Sequence, residues 1–154
     1  MPRQCVRASK GKNSECNTRF GGFIHQPLND FVYSAIAAAG KYHIRAALGV
    51  HQLDEYADDA AIITSELVTN AIQHACGDGT GTVKVTLLRV WNPEGVTVVV
   101  SDCSREGPAT RTAPDGSERG RGLRIVDELS DCWGWHLEDG GKAVYAVLAK
   151  QASA

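Results

Sequence analysis

The feature that most constrains the fold of this chain is a long helical pattern that closes with Ser-Glu-Leu-Val-Thr-Asn-Ala-Ile-Gln-His at residues 65–74. Its apolar residues recur at spacings of three and four, which is typical of a helix with one buried side; they are Leu53, Tyr56, Ala60, Ile63, Leu67, Ala71 and Ala75. Glu66 and Asn70 stand one helical turn apart on the same face, and Gln73 is close to the same line. A polar row beside a buried stripe predicts a helix that borders a pocket.

Composition and charge bound the class of protein. The chain has 154 residues, of which 43% are hydrophobic and 22% charged, so one folded domain with its own core is expected. The formal net charge of -2 gives no general basic surface, which disfavours direct binding to nucleic acid. No apolar run reaches the roughly 18 residues that span a bilayer, and the N-terminal residues show no secretory leader pattern. These features predict a cytoplasmic protein without membrane contact.

The cysteines offer a competing interpretation. They are five, an odd number, and form no Cys-x-x-Cys pair, which favours reduced thiols over a disulfide framework; they lie at Cys5, Cys16, Cys76, Cys103 and Cys132. His74 with Cys76, and Cys132 with His136, match no compact zinc-site spacing. A small zinc or redox protein is therefore the disfavoured alternative.

The pattern along the chain predicts a short basic tail and one domain. Residues 1–20 carry several Lys and Arg with few apolar anchors, which predicts a disordered tail without a role in the fold. Residues 21–150 are expected to form the single domain. It should begin with an edge strand over 23–28 and a helix over 35–48, followed by the long helix from a cap at Asp54 to about residue 76.

The pattern in the second half of the chain predicts two hairpins, with a loop and a helix between them. Alternating apolar residues predict strands over 82–90 and 96–101, and later over 133–138 and 143–148. Between the hairpins, residues 103–119 lack bulky apolar side chains and predict a long loop. A helix should then follow Gly120 and end near residue 131. The sum is an α+β fold, in which helices cover one face of a mainly antiparallel sheet.

The polar row on the long helix suits phosphate and metal chemistry. The Asn70 carboxamide is a hard oxygen donor of the kind that Mg²⁺ accepts, while nucleotide phosphates and water supply its other ligands. Glu66, one turn earlier, could accept the proton of a hydroxyl or a water that attacks the γ-phosphate. On an arbitrary helix such a pair is usually only a solvated face, so the interpretation depends on the rest of the chain.

Two later segments supply the remainder of a nucleotide site. Asp102 ends an apolar strand, where its carboxylate could accept a hydrogen bond from the exocyclic amine of adenine, which predicts adenine over guanine. Gly120 and Gly122 open a helix whose first N–H groups favour phosphate oxygens. Arg119 and Arg121 add positive charge beside them. Each feature alone could be a turn or a loop exit, but their order points to ATP.

This order of motifs resembles that of the GHKL, or Bergerat-fold, ATPases over about residues 37–150. Residues 65–75 look like the N-box, which implies Asn70 as the Mg²⁺ ligand and Glu66 as the general base. Residues 99–104 look like the G1 box, which implies base contact by Asp102 and a cofactor contact by Ser104. Residues 103–119 would be the ATP lid. The fold implied is a two-layer α/β sandwich of the histidine-kinase-like ATPase type.

The end of the lid resembles the G2 box of the same family. Gly120-Arg121-Gly122-Leu123 matches it, which implies that these four residues contact the ATP phosphates, with Arg119 and Arg121 stabilising transferred charge. Gln73 joins the cofactor-binding set from its place on the N-box helix. The resemblance thus implies ATP and Mg²⁺ as cofactors.

Within that family, the small size and the Trp133-Gly134-Trp135 strand look most like the stand-alone anti-sigma-factor serine kinases of actinobacterial type. The resemblance implies a sigma factor and a serine-bearing anti-sigma-factor antagonist as partners, with a homodimer left open. Two departures support an alternative, a non-catalytic nucleotide-gated binding module. Ser104 replaces the first glycine of the G1 box, with the second missing or displaced to Gly107. Ala143 stands where a hydroxyl residue often supports the adenine-binding aspartate.

Overall fold

The computed structural model describes residues 25–33, 40–75, 83–91, 94–108 and 121–150. These residues form a five-stranded antiparallel sheet whose one face packs against helices, in the strand order β1-β2-β3-β5-β4. The α+β architecture and both hairpins expected from the sequence are confirmed. The tail predicted over residues 1–20 and the 109–119 part of the predicted lid lie outside the described residues.

The elements follow one another along the chain with strands at both ends of the described part. They are β1 (His25–Tyr33), α1 (Gly40–Val50), a short 3-10 turn (Asp54–Tyr56), α2 (Ala57–Ala75), β2 (Val83–Val90), β3 (Gly95–Asp102), α3 (Arg121–Leu129), β4 (Cys132–Glu138) and β5 (Gly141–Ala149).

Helix α2 is the central element of the helical layer. It contacts α1 on one side, α3 on the other, and β3 beneath it. Its stripe of Ala60, Ile63, Leu67 and Ala71 is buried against the valines of the sheet, as the spacing predicts. Burying a side chain such as Ile63 contributes about 2 kcal/mol, so this stripe holds α2 in place while its flank stays available to a site.

The register of β3 against β5 determines which polar residues meet at the end of the sheet. Asp102 pairs with Lys142, and Val100 with Val144. Because side chains alternate across a strand, Val100 and Asp102 point to the helix-covered face together with Lys142 and Val144. The turn between β4 and β5 has Gly140 at a φ of 83°, a left-handed conformation that favours glycine.

Several predicted boundaries differ from those in the structure. β1 continues to Tyr33, well past residue 28, because it pairs with β2 from end to end. The first helix begins at Gly40 in the described part, whereas residues 35–39 of its predicted span lie outside it. Asp54 opens a 3-10 turn without a side-chain cap, and the α-helix starts at Ala57.

The two described cysteines differ from each other. Cys103 is an exposed, reduced thiol. Cys132 is buried and disulfide-bonded, so the expectation of reduced thiols is wrong at that residue. Within the described ranges, no group of three or more His, Cys, Asp or Glu side chains is arranged to hold a metal ion.

Candidate functional site

A cleft of about 280 Å³ opens between α2 and the ends of β3 and β5. Its apolar walls are Leu67 and Ala71 from α2 and Val100 and Val144 from the sheet. Its polar residues come from three different segments and are Asn70, Asp102, Ser104, Glu106 and Lys142. Ligand sites usually combine apolar walls with a few convergent polar groups in this way, and their volume starts at roughly 300 Å³.

The two polar residues of the N-box helix take different positions around this cleft. Asn70 lines it directly. Glu66 is half-buried one turn away, and its Oε2 lies 2.8 Å from the place that a Cβ on Gly122 would take. Across the described ranges, neither side chain makes a hydrogen bond or an ion pair. Both polar groups are therefore available to a ligand, with Glu66 directed at the start of α3.

Asp102 is the most constrained polar group of the site. Its side chain is 2% exposed, and its Oδ1 accepts a hydrogen bond from the main-chain N–H of Ser104 at 2.8 Å. Ser104 in turn uses its Oγ to accept the N–H of Glu106 at 3.1 Å. The serine that replaces the G1-box glycine thus closes a local turn after β3 and also lines the cleft.

Lys142 is the residue that the sequence analysis missed. Its Nζ lies 3.0 Å from Asp102 Oδ1, and its side chain is 6% exposed, so the two form a buried ion pair inside the cleft. Ala143, the position expected to support Asp102, pairs with Ser101 and faces the opposite side of the sheet. The expectation about Ala143 is therefore wrong, because the support comes from the residue one position earlier. The alternation of β5 was the available signal, since Lys142 shares the face of Val144.

The G2-box residues are only partly within the described chain. Arg119 and Gly120 lie outside it, and of Arg121 only the main chain, which begins α3, is described. Gly122 is next to Glu66, as noted above. Leu123 is buried in the core, so its side chain supports α3 and only its main chain could face a phosphate.

The start of the predicted lid is attached to the edge strand β4. Arg105 donates from Nη1 to the main-chain oxygen of Glu138 at 3.1 Å. Gly107 lies against the Trp135 indole so closely that a Cβ would stand 2.5 Å from Cζ2. Trp135 is buried, as is Trp133, whose indole N–H donates to Asp127 at 3.1 Å, so both tryptophans belong to the core.

One predicted site residue lies away from the cleft. Gln73 is exposed and is not among the residues that line it. None of the helices in the described ranges has the length and apolar character needed to cross a membrane.

The family model of the histidine kinase-like ATPase domain matches residues 36–148, a span that includes α2, the cleft and both hairpins. The chain therefore belongs to the histidine kinase-like ATPase domain family, in agreement with the GHKL resemblance of its motifs. A domain of this family implies ATP as the ligand. Among curated proteins, none matches the chain.

Proposed function

We propose that this chain is an ATP-dependent regulatory protein, an anti-sigma factor that phosphorylates a serine of an anti-sigma-factor antagonist. The observation that carries the proposal is the pair of polar side chains on α2, Glu66 and Asn70, that have no partner among the residues that the structure describes. Asn70 faces the cleft, and Glu66 faces the start of α3 at Gly122. Polar groups without partners beside an apolar stripe add little to folding, which favours a role in binding and chemistry.

The cleft has a base end and a phosphate end in this proposal. Asp102 and the apolar pair Val100 and Val144 receive the adenine at the base end. At the phosphate end, the first N–H groups of α3 bind phosphate oxygens, which is favourable because they are unpaired and carry the positive end of the helix dipole. The Asn70 carboxamide would hold Mg²⁺, which when bound neutralises charge on the phosphates.

Glu66 acts as the general base in this scheme. Its carboxylate accepts the proton of the substrate serine hydroxyl while the serine oxygen forms a bond to the γ-phosphorus. The bond between that phosphorus and the bridging oxygen breaks, and ADP leaves with the electron pair. Arg119 and Arg121 are the candidates for stabilising charge on the transferred group.

The test compares Glu66→Gln with wild type in two assays. Purified antagonist-type proteins from the same genome are incubated with γ-labelled ATP and Mg²⁺, and ATP binding is measured separately by calorimetry. Glu66→Gln should lower the transfer rate by about 10²-fold or more and leave ATP affinity within about twofold. Glu128→Gln, an exposed acid on α3 that pairs with Arg124, is the matched control and should leave transfer unchanged. Transfer at the wild-type rate in Glu66→Gln would contradict the assignment.

The alternative is a non-catalytic module whose partner binding is gated by nucleotide. The observation that favours it is the altered G1 turn, in which Ser104 and Glu106 are hydrogen-bonded where flexible glycines are expected. ATP or ADP would then control binding of the partner protein without phosphate transfer. In that case Glu66→Gln leaves nucleotide-dependent binding to the partner nearly unchanged, and no labelled protein appears with wild type either.

A further inference from the structure

Lys142 is an unusual occupant for the wall of an adenine site. It comes from β5, directly opposite Asp102 on β3, and its ammonium is buried within the cleft. Removing an ammonium from water is expensive, and a buried ion pair offsets that penalty only when its remaining hydrogen-bonding groups are also satisfied. A buried pair is therefore weak evidence for a stabilising role, and its position in the cleft favours a role in binding.

Within the described ranges, some hydrogen-bonding groups of the Asp102–Lys142 pair have no partner. The ammonium has three N–H donors, and Asp102 Oδ1 is the one acceptor that it contacts there. Oδ1 also takes the Ser104 N–H, which leaves Asp102 Oδ2 without a donor in the same part of the chain. Among the described residues, the base end of the cleft thus presents one acceptor, Oδ2, next to ammonium donors that have no further protein acceptor.

This pattern is complementary to one edge of adenine. The exocyclic N6 amine is a donor, and the ring nitrogens on either side of it, N1 and N7, are acceptors. Guanine presents the reverse order, with O6 as an acceptor and N1–H as a donor, so a carboxylate at the position of the amine is what opposes guanine in the same pose. Asp102 alone can bind the amine, but it cannot bind N1 or N7, because both are acceptors like itself. A donor next to the carboxylate completes the match.

We propose that Lys142 is a base-binding residue that donates a hydrogen bond to the adenine ring nitrogen beside the N6 amine, while Asp102 accepts from the amine. The inference rests on the proposed ATP site and adds a direct base contact from β5. The ion pair keeps the Lys142 ammonium at the base end, because the Asp102 carboxylate that binds the amine also pairs with the lysine. Adenine binding then uses Lys142 Nζ as donor and Asp102 Oδ2 as acceptor, and the 3.0 Å bond between Nζ and Oδ1 holds the two side chains together.

The test uses ATP analogues that lack one ring nitrogen at a time. Binding of ATP, 1-deaza-ATP and 7-deaza-ATP is measured by calorimetry for wild type and for Lys142→Met, which keeps the side-chain length and removes the donors. Wild type should bind one of the two analogues about tenfold more weakly than ATP, as for loss of a charge-assisted hydrogen bond. Lys142→Met should bind ATP and that analogue with equal affinity. Which analogue is weakened identifies N1 or N7 as the acceptor.

Lys150→Met is the matched control, because Lys150 is an exposed lysine just beyond the other end of β5, paired with Glu55. It should discriminate against the analogue as wild type does. Equal binding of all three nucleotides by wild type would overturn the inference while leaving ATP binding intact, and this result needs no variant to fold. Discrimination that persists in Lys142→Met would also overturn it. Absence of ATP binding by wild type would overturn the proposed function itself, and the inference with it.

Discussion

The two ends of the β3–β5 strand pair share a backbone arrangement and differ in their polar groups. At each end a glycine allows a close approach of the paired strands. A Cβ on Gly95 would overlap the main-chain oxygen of Leu148, and a Cβ on Gly141 would overlap that of Asp102. The backbone requirement is therefore the same at both ends, and whatever distinguishes them lies in the side chains.

At the end near Gly95 the main-chain oxygen of Glu94 is the central acceptor, and it is paired. The Tyr56 hydroxyl and the Lys150 N–H both donate to the main-chain oxygen of Glu94 at 3.0 Å. The Lys150 ammonium pairs with Glu55 at 3.2 Å. We call this the closed end, comprising Glu94, Gly95 and Lys150 with Tyr56.

At the opposite end, formed by Asp102, Gly141 and Lys142, the groups pair with each other but keep hydrogen-bonding capacity that faces a cleft. We call this the open end. The comparison teaches that burial of polar groups alone does not mark a site in this fold. What marks the open end is polar capacity that faces a cleft, because buried atoms without a partner also occur away from the cleft in the described part of the chain, at Arg89 Nε and Thr97 Oγ1.

The largest effect is expected from alanine substitution at the two glycines, and its consequence for ATP binding should differ between them. Gly141→Ala forces β3 away from β5 and should lower the free energy of unfolding by more than about 3 kcal/mol, since main-chain atoms cannot move aside as a flexible side chain can. Because the displaced atom belongs to Asp102, ATP affinity should fall as well. Gly95→Ala is the matched change at the closed end. It should also destabilise the fold, as measured by urea unfolding, but the folded protein should bind ATP normally. Wild-type stability for Gly141→Ala would contradict this account of the open end.

The next largest effect is a difference in stability between methionine substitutions at Lys142, within β5, and at Lys150, just after β5. Lys142→Met leaves the Asp102 carboxylate buried without its counter-ion and should cost about 3 kcal/mol in urea unfolding. The domain should remain folded, because single domains have about 5 to 15 kcal/mol of stability. Lys150→Met removes an exposed pair, with side chains 58% and 49% exposed, and should change stability by less than about 1 kcal/mol. Equal losses for the two variants would mean that the Lys142 ammonium is solvated.

The same contrast shows what the sequence could and could not predict. Asp102 could be predicted as a site residue because an acid at the end of an apolar strand is conspicuous. Helix α2 could be predicted because its apolar stripe repeats over a long helix. Lys142 was missed because support for Asp102 was assigned to Ala143, and a one-residue error places a side chain on the wrong face of a strand. The approach of Glu66 to Gly122 could not be predicted, since it depends on how α3 packs against α2.

A smaller effect is expected from a substitution on α2 that should weaken ATP binding without changing stability. Asn70→Ala should leave the free energy of unfolding within about 0.5 kcal/mol of wild type, because the carboxamide has no partner in the described chain. With Mg²⁺ present, ATP affinity should fall about tenfold, equivalent to about 1.4 kcal/mol, and with EDTA the difference from wild type should largely disappear. Gln73→Ala is the control on the same helix, exposed and outside the cleft lining. A loss that persists in EDTA would contradict the role of Asn70 as a metal ligand.

The smallest effect is a loss of stability at the closed end that appears only at alkaline pH. Burial, followed by the nearby charges of Glu55 and Glu94, raises the pKa of Tyr56 from 10.0 to about 12. A raised pKa means that the folded state favours the neutral phenol, so this contribution to stability is complete below pH 10 and is lost as the pH rises from 10 to about 12. The difference in urea-unfolding free energy between wild type and Tyr56→Phe should be constant up to pH 9 and should then shift against wild type. A constant difference up to pH 11.5 would show that the hydroxyl ionises as readily in the folded protein as in the unfolded chain, and that the closed end is open to water.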